Sequence, residues 1–286
     1  MQLRFAKLPD GDLGLELAGG KRGRRPLLIP VPPTWAQDPG SRALVLQEHE
    51  GGFERETRQF FDRHLRRDGV FIDAGAHWGL FSLTIAGAHR TNRTVIAIEA
   101  HPHNAVRLAK AVEISQLRKK VEIVVCALGA GGGTTTLYEG GTMGNVVGTS
   151  ANAQAAHFNP DGVAASYSVP VVSVDRLMDE RSSAPADRPV MMKVDVEGNE
   201  IAVMQGAAEL VASGRLIGLM LEKGGGYARE PQLSAFGEMC RRLEEAGFLS
   251  YRLDGPALVP YELTPRDCNV FFLPRSVKPL ASYAAT

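Results

Sequence analysis

The sequence predicts an α/β fold, doubly wound, with a mostly parallel seven-stranded sheet, an antiparallel edge hairpin and an inserted β segment. Three observations carry this. Apolar runs and amphipathic stretches alternate from residue 53 onward, as βαβ units require. The strand-like runs are almost unbroken by polar residues, as in strands buried on both faces. The last two, FLSYRL and NVFFLP, are joined by a connection too short for a helical crossover, so they should pair antiparallel.

Residues 1–50 read as an N-terminal extension rich in Gly and Pro (GGKRGRRP, PVPPTW), with a short strand or two. KRGRR within it reads as a solvated basic turn, not a phosphate site, because the chain carries 32 basic and 32 acidic residues and no net charge. The main domain is expected over 51–275, followed by a loose tail, 276–286. FERETRQFFDRHLRR puts Phe53, Phe60, Phe61 and Leu65 at helical spacing, a helix that packs on the sheet. Strand one is GVFIDAG, followed by the helix WGLFSLTIAGAH. Strand two is TVIAIEA, followed by HNAVRLAKAVEIS. Strand three is VEIVVCAL, residues 121–128. The Gly- and Thr-rich stretch 129–188 breaks the rhythm and should add strands, among them SVPVVSV, and a mobile loop near the carboxyl edge, where open α/β sheets bind ligands. PVMMKVDVEG is strand four, with NEIAVMQGAAELVAS as its helix. LIGLMLE is strand five, with LSAFGEMCRRLEEAG after it.

A neutral chain gives no bulk attraction for nucleic acid or an anionic membrane. No apolar run reaches the roughly 18 residues needed to cross a bilayer. The opening MQLRFAKLPDGDLG lacks the apolar core of a secretory leader. Cys126, Cys240 and Cys268 are scattered without CxxC spacing, which suits buried thiols in a reducing cytoplasm.

The chemistry concentrates at three strand ends. In FIDAGAHWGLFSL, Asp73, Gly75 and Gly79 form DxGxxxG between strand and helix. Gly75 allows close approach of a ligand to the backbone, and Gly79 opens a helix with free amides. The dinucleotide fingerprint GxGxxG fails here, because His77 stands where its second glycine belongs and a pyrophosphate would meet a side chain. Glu99 ends strand two, where an acid can take both ribose hydroxyls. Together these favour a nucleoside without a pyrophosphate. S-adenosylmethionine fits, with its ribose on Glu99 and its methionine end on the turn and Asp73. In MMKVDVEGNE, Lys193, Asp195 and Glu197 alternate onto one face of strand four. A carboxylate there can steer the cofactor amine, take a proton from a hydroxyl, or bind a metal.

FIDAGAHWGLFSL, VIAIEAHPHN, VCALG, VPVVSVDRLM and MMKVDVEGNEIAVMQGA, in that order, resemble the FkbM-type methyltransferases over roughly residues 50–225; the KxDxEG block and the following Gly206–Ala207 are the most specific part. The resemblance implies a class I methyltransferase (Rossmann-like) fold and S-adenosylmethionine-dependent O-methylation of a small natural product or glycan hydroxyl. It implies a cofactor set of Asp73, Gly75, Ala76, His77, Gly79, Glu99, Ala100, Ala127, Leu128 and Asp195, with Ala127 and Leu128 flanking adenine. Lys193, Asp195 and Glu197 then face the reacting centre, one of the acids as base and Lys193 orienting it. The family usually has Asn and an aliphatic residue where this chain has His77 and Trp78, and Pro where it has Ala100.

The rivals are an NAD-dependent oxidoreductase on a similar sheet and a non-catalytic cofactor binder. A Mg²⁺ site on Asp195, Glu197 and Glu222 ranks below metal-free transfer. His101 and His103 read as loop residues, not a metal clip. Trp35 and Trp78 read as packing residues, and GGGYAR after strand five as either a lid or a plain loop.

Overall fold

The computed structural model describes residues 5–8, 10–17, 26–31, 34–37, 39–50, 52–88, 91–140, 143–146, 166–181 and 183–283. KRGRR and the centre of the inserted segment, expected to be mobile, lie outside these residues.

The first fifty residues hold more structure than the sequence suggested. β1 (Phe5–Lys7), β2 (Leu13–Glu16) and β3 (Leu28–Val31) make a small antiparallel sheet, followed by α1 (Pro39–Glu50). Then come α2 (Arg55–His64), β4 (Val70–Ala74), α3 (Leu80–Ala86), β5 (Thr94–Ile98), α4 (Pro102–Ile114) and β6 (Val121–Val124). The inserted segment gives β7 (Ala127–Leu128), β8 (Gly133–Gly140), β9 (Met143–Val146), β10 (Ser166–Val172) and α5 (Val174–Asp179). The domain resumes with β11 (Val190–Val194), α6 (Glu200–Gln205), α7 (Ala208–Ala212), β12 (Leu216–Lys223) and α8 (Gln232–Glu245). It ends with β13 (Phe248–Asp254), β14 (Ala257–Pro260) and β15 (Cys268–Pro274).

The main sheet runs β14-β13-β15-β12-β11-β4-β5-β6. β4, β5, β6, β11 and β12 are parallel, and β15 lies antiparallel between β12 and β13. The doubly wound α/β class expected from sequence is thus the fold observed. It carries an eighth strand: β14 forms the outermost hairpin with β13, so β15 sits inside the sheet and not at its edge. The Asp254–Gly255 dipeptide, with Gly255 at φ +55, is the turn signal for that hairpin. VEIVVCAL is also two strands and not one. Val125 is exposed between them, and the chain leaves β6 to pair Ala127 and Leu128 with Val171 and Val172 of β10 in a second sheet, β7-β10-β8-β9.

Two apolar cores cover the faces of the main sheet. On one side Phe60 and Phe61 of α2 meet Phe271 and Phe71 edge-on, with ring centroids 4.9 and 4.8 Å apart. On the other, Phe236 and Leu243 of α8 and Val203 of α6 pack on Ile72, Met192 and Leu221. The expected loose tail is docked as far as residue 283. Tyr283 is fully buried beside Phe60, its hydroxyl 2.7 Å from His64 Nε2.

β4 and β11 are buried along their whole length, and their one acid and one base are register partners, Asp73 opposite Lys193. From β4 the chain winds outward through β5 and β6, and from β11 the opposite way through β12. The crevice beyond these two strands is therefore the topological switch point.

Candidate active site

At that crevice lies a cavity of about 270 Å³. Its floor is the turn after β4. Gly75 has φ +76, and a Cβ there would stand 1.7 Å from the carbonyl oxygen of Asp195, so only glycine lets the ends of β4 and β11 come this close. The amides of Gly75 and Ala76 both donate to Ile98 O, at 3.0 and 2.9 Å, and Gly79 N donates to Ala76 O. His77, at φ +52, donates its amide to Glu99 Oε2 at 2.7 Å. These turn amides are committed inside the protein, so no pyrophosphate cradle is left in them.

Glu99 faces the cavity from the end of β5 and is 7% exposed. Its second oxygen accepts the His101 amide at 2.8 Å. Burial raises its pKa to about 7 against the opposing pull of the two amides. The Asn104 side chain adds a third hydrogen bond to this carboxylate. Ala100, Ala127, Leu128 and Leu137 form an apolar wall next to it, Leu137 coming from β8 of the inserted segment. Trp78 is 1% exposed and held by Nε1–H to Asn104 Oδ1 at 3.0 Å, with His77 stacked on it at 4.8 Å and the Arg107 guanidinium 5.1 Å from its ring. It is a packing residue that also edges the cavity.

The opposite wall is acidic. Lys193, 2% exposed, places Nζ 2.9 Å from Asp195 Oδ2, 3.8 Å from Asp73 Oδ1 and 3.2 Å from Gly75 O, over the Phe81 ring at 5.2 Å. Burial disfavours its ammonium, but the charges of Asp195, Asp73 and Glu54 outweigh that and hold it protonated. Burial likewise raises Asp195, and Lys193 brings it back below its ordinary value. Glu222, at the end of β12, is pushed far upward by burial and by its hydrogen bond to Asp195, so it keeps its proton and donates it to that carboxylate. Glu197 is raised to about 7 by burial, then by Asp195 and Glu200. It has φ +56 in a turn that Glu200 secures: Glu200 Oε1 accepts Val196 N at 3.0 Å and Gly198 N at 3.2 Å. Asn199 Nδ2 ties the same turn to Leu128 O at 2.8 Å.

Of the residues expected from sequence, Gly75, Ala76, His77, Glu99, Ala100, Ala127, Leu128, Lys193, Asp195 and Glu197 all line this one cavity. Asp73 and Gly79 do not. Asp73 is completely buried beneath the floor, accepting Ser82 Oγ–H at 2.6 Å and neighbouring Lys193, so it supports the lysine and puts no charge at the mouth. Gly79 is set by its left-handed backbone, φ +92, at the start of α3, with Leu108 of α4 packed close beside it. Sequence reasoning missed Phe53 and Glu54, which reach the cavity from the turn between α1 and α2, and Leu137. An acid opening an amphipathic helix is ordinarily solvated, so Glu54 carried no signal. Carboxylate oxygens of Asp195, Glu197 and Glu222 lie within 4.8 Å of one another, the grouping foreseen for Mg²⁺. Lys193 Nζ already sits on one member of the group, 2.9 Å from Asp195 Oδ2. His101 packs edge-on against His103 and Tyr167, at 5.6 and 5.2 Å. GGGYAR is anchored by Tyr227, buried against Phe236 at 5.0 Å.

A doubly wound sheet with a buried carboxylate and a glycine turn at its switch-point crevice is the architecture of a class I methyltransferase. Residues 73–250, more than half of the chain, match the Methyltransferase FkbM domain, and the chain belongs to that family. Among solved structures it is similar to an FkbM methyltransferase from Methylobacillus flagellatus KT (16% identity, TM-score 0.49, covering 78% of this chain and 49% of that one). The chain thus spans about half the length of that protein. It is also similar to a putative rRNA methylase from Clostridium thermocellum (13% identity, TM-score 0.44, 77% of this chain and 93% of that one). A third is an O-methyltransferase from Bacillus cereus in complex with SAH (11% identity, TM-score 0.44, 85% and 91%). None of the curated proteins compared with the chain matches it. No helix among the described residues is long and apolar enough to cross a membrane.

Proposed function

We propose that this chain transfers a methyl group from S-adenosylmethionine to a hydroxyl of a small natural product or glycan. The observation that carries the reading is Glu99: a buried carboxylate, fixed by two backbone amides, facing a cavity beside a glycine turn whose Gly75, Ala76, His77 and Gly79 amides are bonded within the protein. That combination suits a nucleoside with free ribose hydroxyls and disfavours a dinucleotide. Glu99 would hold the ribose, Ala100, Ala127 and Leu128 the adenine, and Gly75, Ala76 and His77 the methionine end, with Asp195 near its amine.

When bound, the cofactor supplies a methyl on a positively charged sulfur, displaced in line by a nucleophile. The protein's work is then positioning, which can contribute roughly 7–11 kcal/mol, and removal of the hydroxyl proton, about 10²–10⁴-fold. Glu197 suits the second task. Its pKa of about 7 matches a base working near neutrality, whereas Lys193 keeps Asp195 ionised and weakly basic. Lys193 and the protonated Glu222 hold Asp195 in place. The base is therefore Glu197, with Asp195 and Lys193 as its electrostatic frame.

The test is release of S-adenosylhomocysteine with a panel of sugar and polyketide alcohols. Turnover is expected with at least one alcohol, and Glu197→Gln should lower it by about 10²-fold or more. Full turnover in Glu197→Gln would overturn the assignment of the base.

A further inference from the structure

The stretch MMKVDVEGNE ends in an acid, Glu200, that takes no direct part in the transfer. It is the first residue of α6, is 1% exposed, and does not line the cavity. An acid at a helix start ordinarily serves that helix's own free amides. Glu200 instead reaches back past the helix start. Its Oε1 accepts Val196 N at 3.0 Å and Gly198 N at 3.2 Å, the two amides that flank Glu197. The backbone there is left-handed at two successive residues, Glu197 at φ +56 and Gly198 at φ +99. Glycine takes that conformation freely, whereas a glutamate keeps it only where its surroundings impose it. Packing does not impose it at Gly198, where a Cβ would meet nothing among the described residues. Asp195 N on Ala74 O at 3.1 Å and Asn199 Nδ2 on Leu128 O at 2.8 Å fix the two ends of the turn and leave its middle to Glu200. Glu200 Oε2 in turn lies buried beside the hydroxyl of Tyr227, whose ring packs on Phe236 at 5.0 Å.

We propose that Glu200 is a positioning residue for methyl transfer: it holds the turn that presents the Glu197 carboxylate to the cavity, and touches neither cofactor nor acceptor. This deepens the methyl-transfer reading and rests on Glu197 being its base. Two amides clamped on one carboxylate oxygen set the direction in which the residue between them points. Without the clamp, residues 196–198 relax toward the right-handed or extended backbone that a glutamate prefers, and the carboxylate swings away from the hydroxyl it deprotonates. A misplacement of about 1 Å at a reacting group can cost about 10²-fold. The loss is bounded by that of removing the base itself, roughly 10²–10⁴-fold, because Glu200 acts through Glu197 alone.

The experiment measures kcat and KM by S-adenosylhomocysteine release, with whichever of the sugar and polyketide alcohols turns over fastest. Glu200→Ala should lower kcat about tenfold or more and leave the KM for S-adenosylmethionine within about twofold. Glu200→Gln keeps an oxygen for both amides and should recover most of the loss. Glu197→Gln and the double variant Glu197→Gln/Glu200→Ala should be equally slow, since the clamp has nothing to position once the base is gone. A brace for the fold at large would slow the double variant further. If the melting temperature shows that Glu200→Ala does not fold, Glu200→Asp, a carboxylate one methylene too short to reach both amides, carries the same expectation. Full turnover in Glu200→Ala, a Glu200→Gln as slow as Glu200→Ala, a raised KM in place of a lowered kcat, or losses that multiply in the double variant would overturn the inference alone. Full turnover in Glu197→Gln would overturn the assignment of the base, and no turnover of any alcohol by the wild type the methyl-transfer reading, each taking this inference with it.

Discussion

The two walls of the cavity are built on opposite principles. The wall after β4 and β5 is backbone: a left-handed glycine, three amides already bonded, and one carboxylate held by two of its neighbours' N–H groups. The wall at the ends of β11 and β12 is charge: Asp195, Glu197 and Glu222, with Glu54 brought in from the turn before α2, around one buried ammonium. The first is satisfied before any ligand arrives. The second sets its acids around Lys193, whose ammonium offsets part of their repulsion. A rigid wall suits the invariant part of a reaction, and a charged one suits proton removal.

Lys193→Met tests that contrast most severely. It leaves Asp73 and Asp195 buried without their cation and should cost about 3–5 kcal/mol of stability by urea unfolding. A loss below about 1 kcal/mol would mean that the acidic wall does not depend on its lysine.

Next in size is the pH dependence. Turnover should rise as pH passes about 7, where Glu197 ionises, and Glu197→Gln should remove that inflection. Stability runs the other way. Glu99 and Glu197 have folded pKa values of about 7, above the ordinary 4.5, so the folded state holds more protons than the unfolded one between those values. Their contribution is fully present below 4.5 and is lost as pH rises through about 7. The melting temperature of the ligand-free protein should drop across that window, and the drop should shrink in Glu197→Gln. A flat profile would place both acids in ordinary solvent.

The smallest expected effect is that of EDTA. With Asp195 held by Lys193 and by the Glu222 proton, turnover should be unchanged by chelation. Loss of activity restored by Mg²⁺ would turn the acidic wall into a metal site.

The backbone wall was the legible one. The parallel strands, the glycine turn and Glu99 follow from apolar runs and from residue types that only a strand end explains. Local patterning failed where a position is set by distant partners. Asp73 looks like a residue at the mouth, yet it lies under the floor because its register partner is Lys193. Gly79 looks like a ligand turn, yet it does not line the cavity and serves the left-handed entry into α3. Glu54 depends on a clasp between Glu48 and Arg58 that neither helix advertises alone. The β6–β7 break was hidden because residues 123–128 of VEIVVCAL are apolar without interruption, and only the exposure of Val125 marks where the chain changes sheets.

The most direct measurement is calorimetric titration of the protein with S-adenosylmethionine and, separately, with NAD, in wild type and Glu99→Ala. S-adenosylmethionine should bind and NAD should not. Glu99→Ala should weaken S-adenosylmethionine by about 10²-fold or more, from the loss of charged hydrogen bonds to two hydroxyls. Binding of NAD, or S-adenosylmethionine affinity indifferent to Glu99, would mean that the crevice beside the glycine turn holds a different ligand.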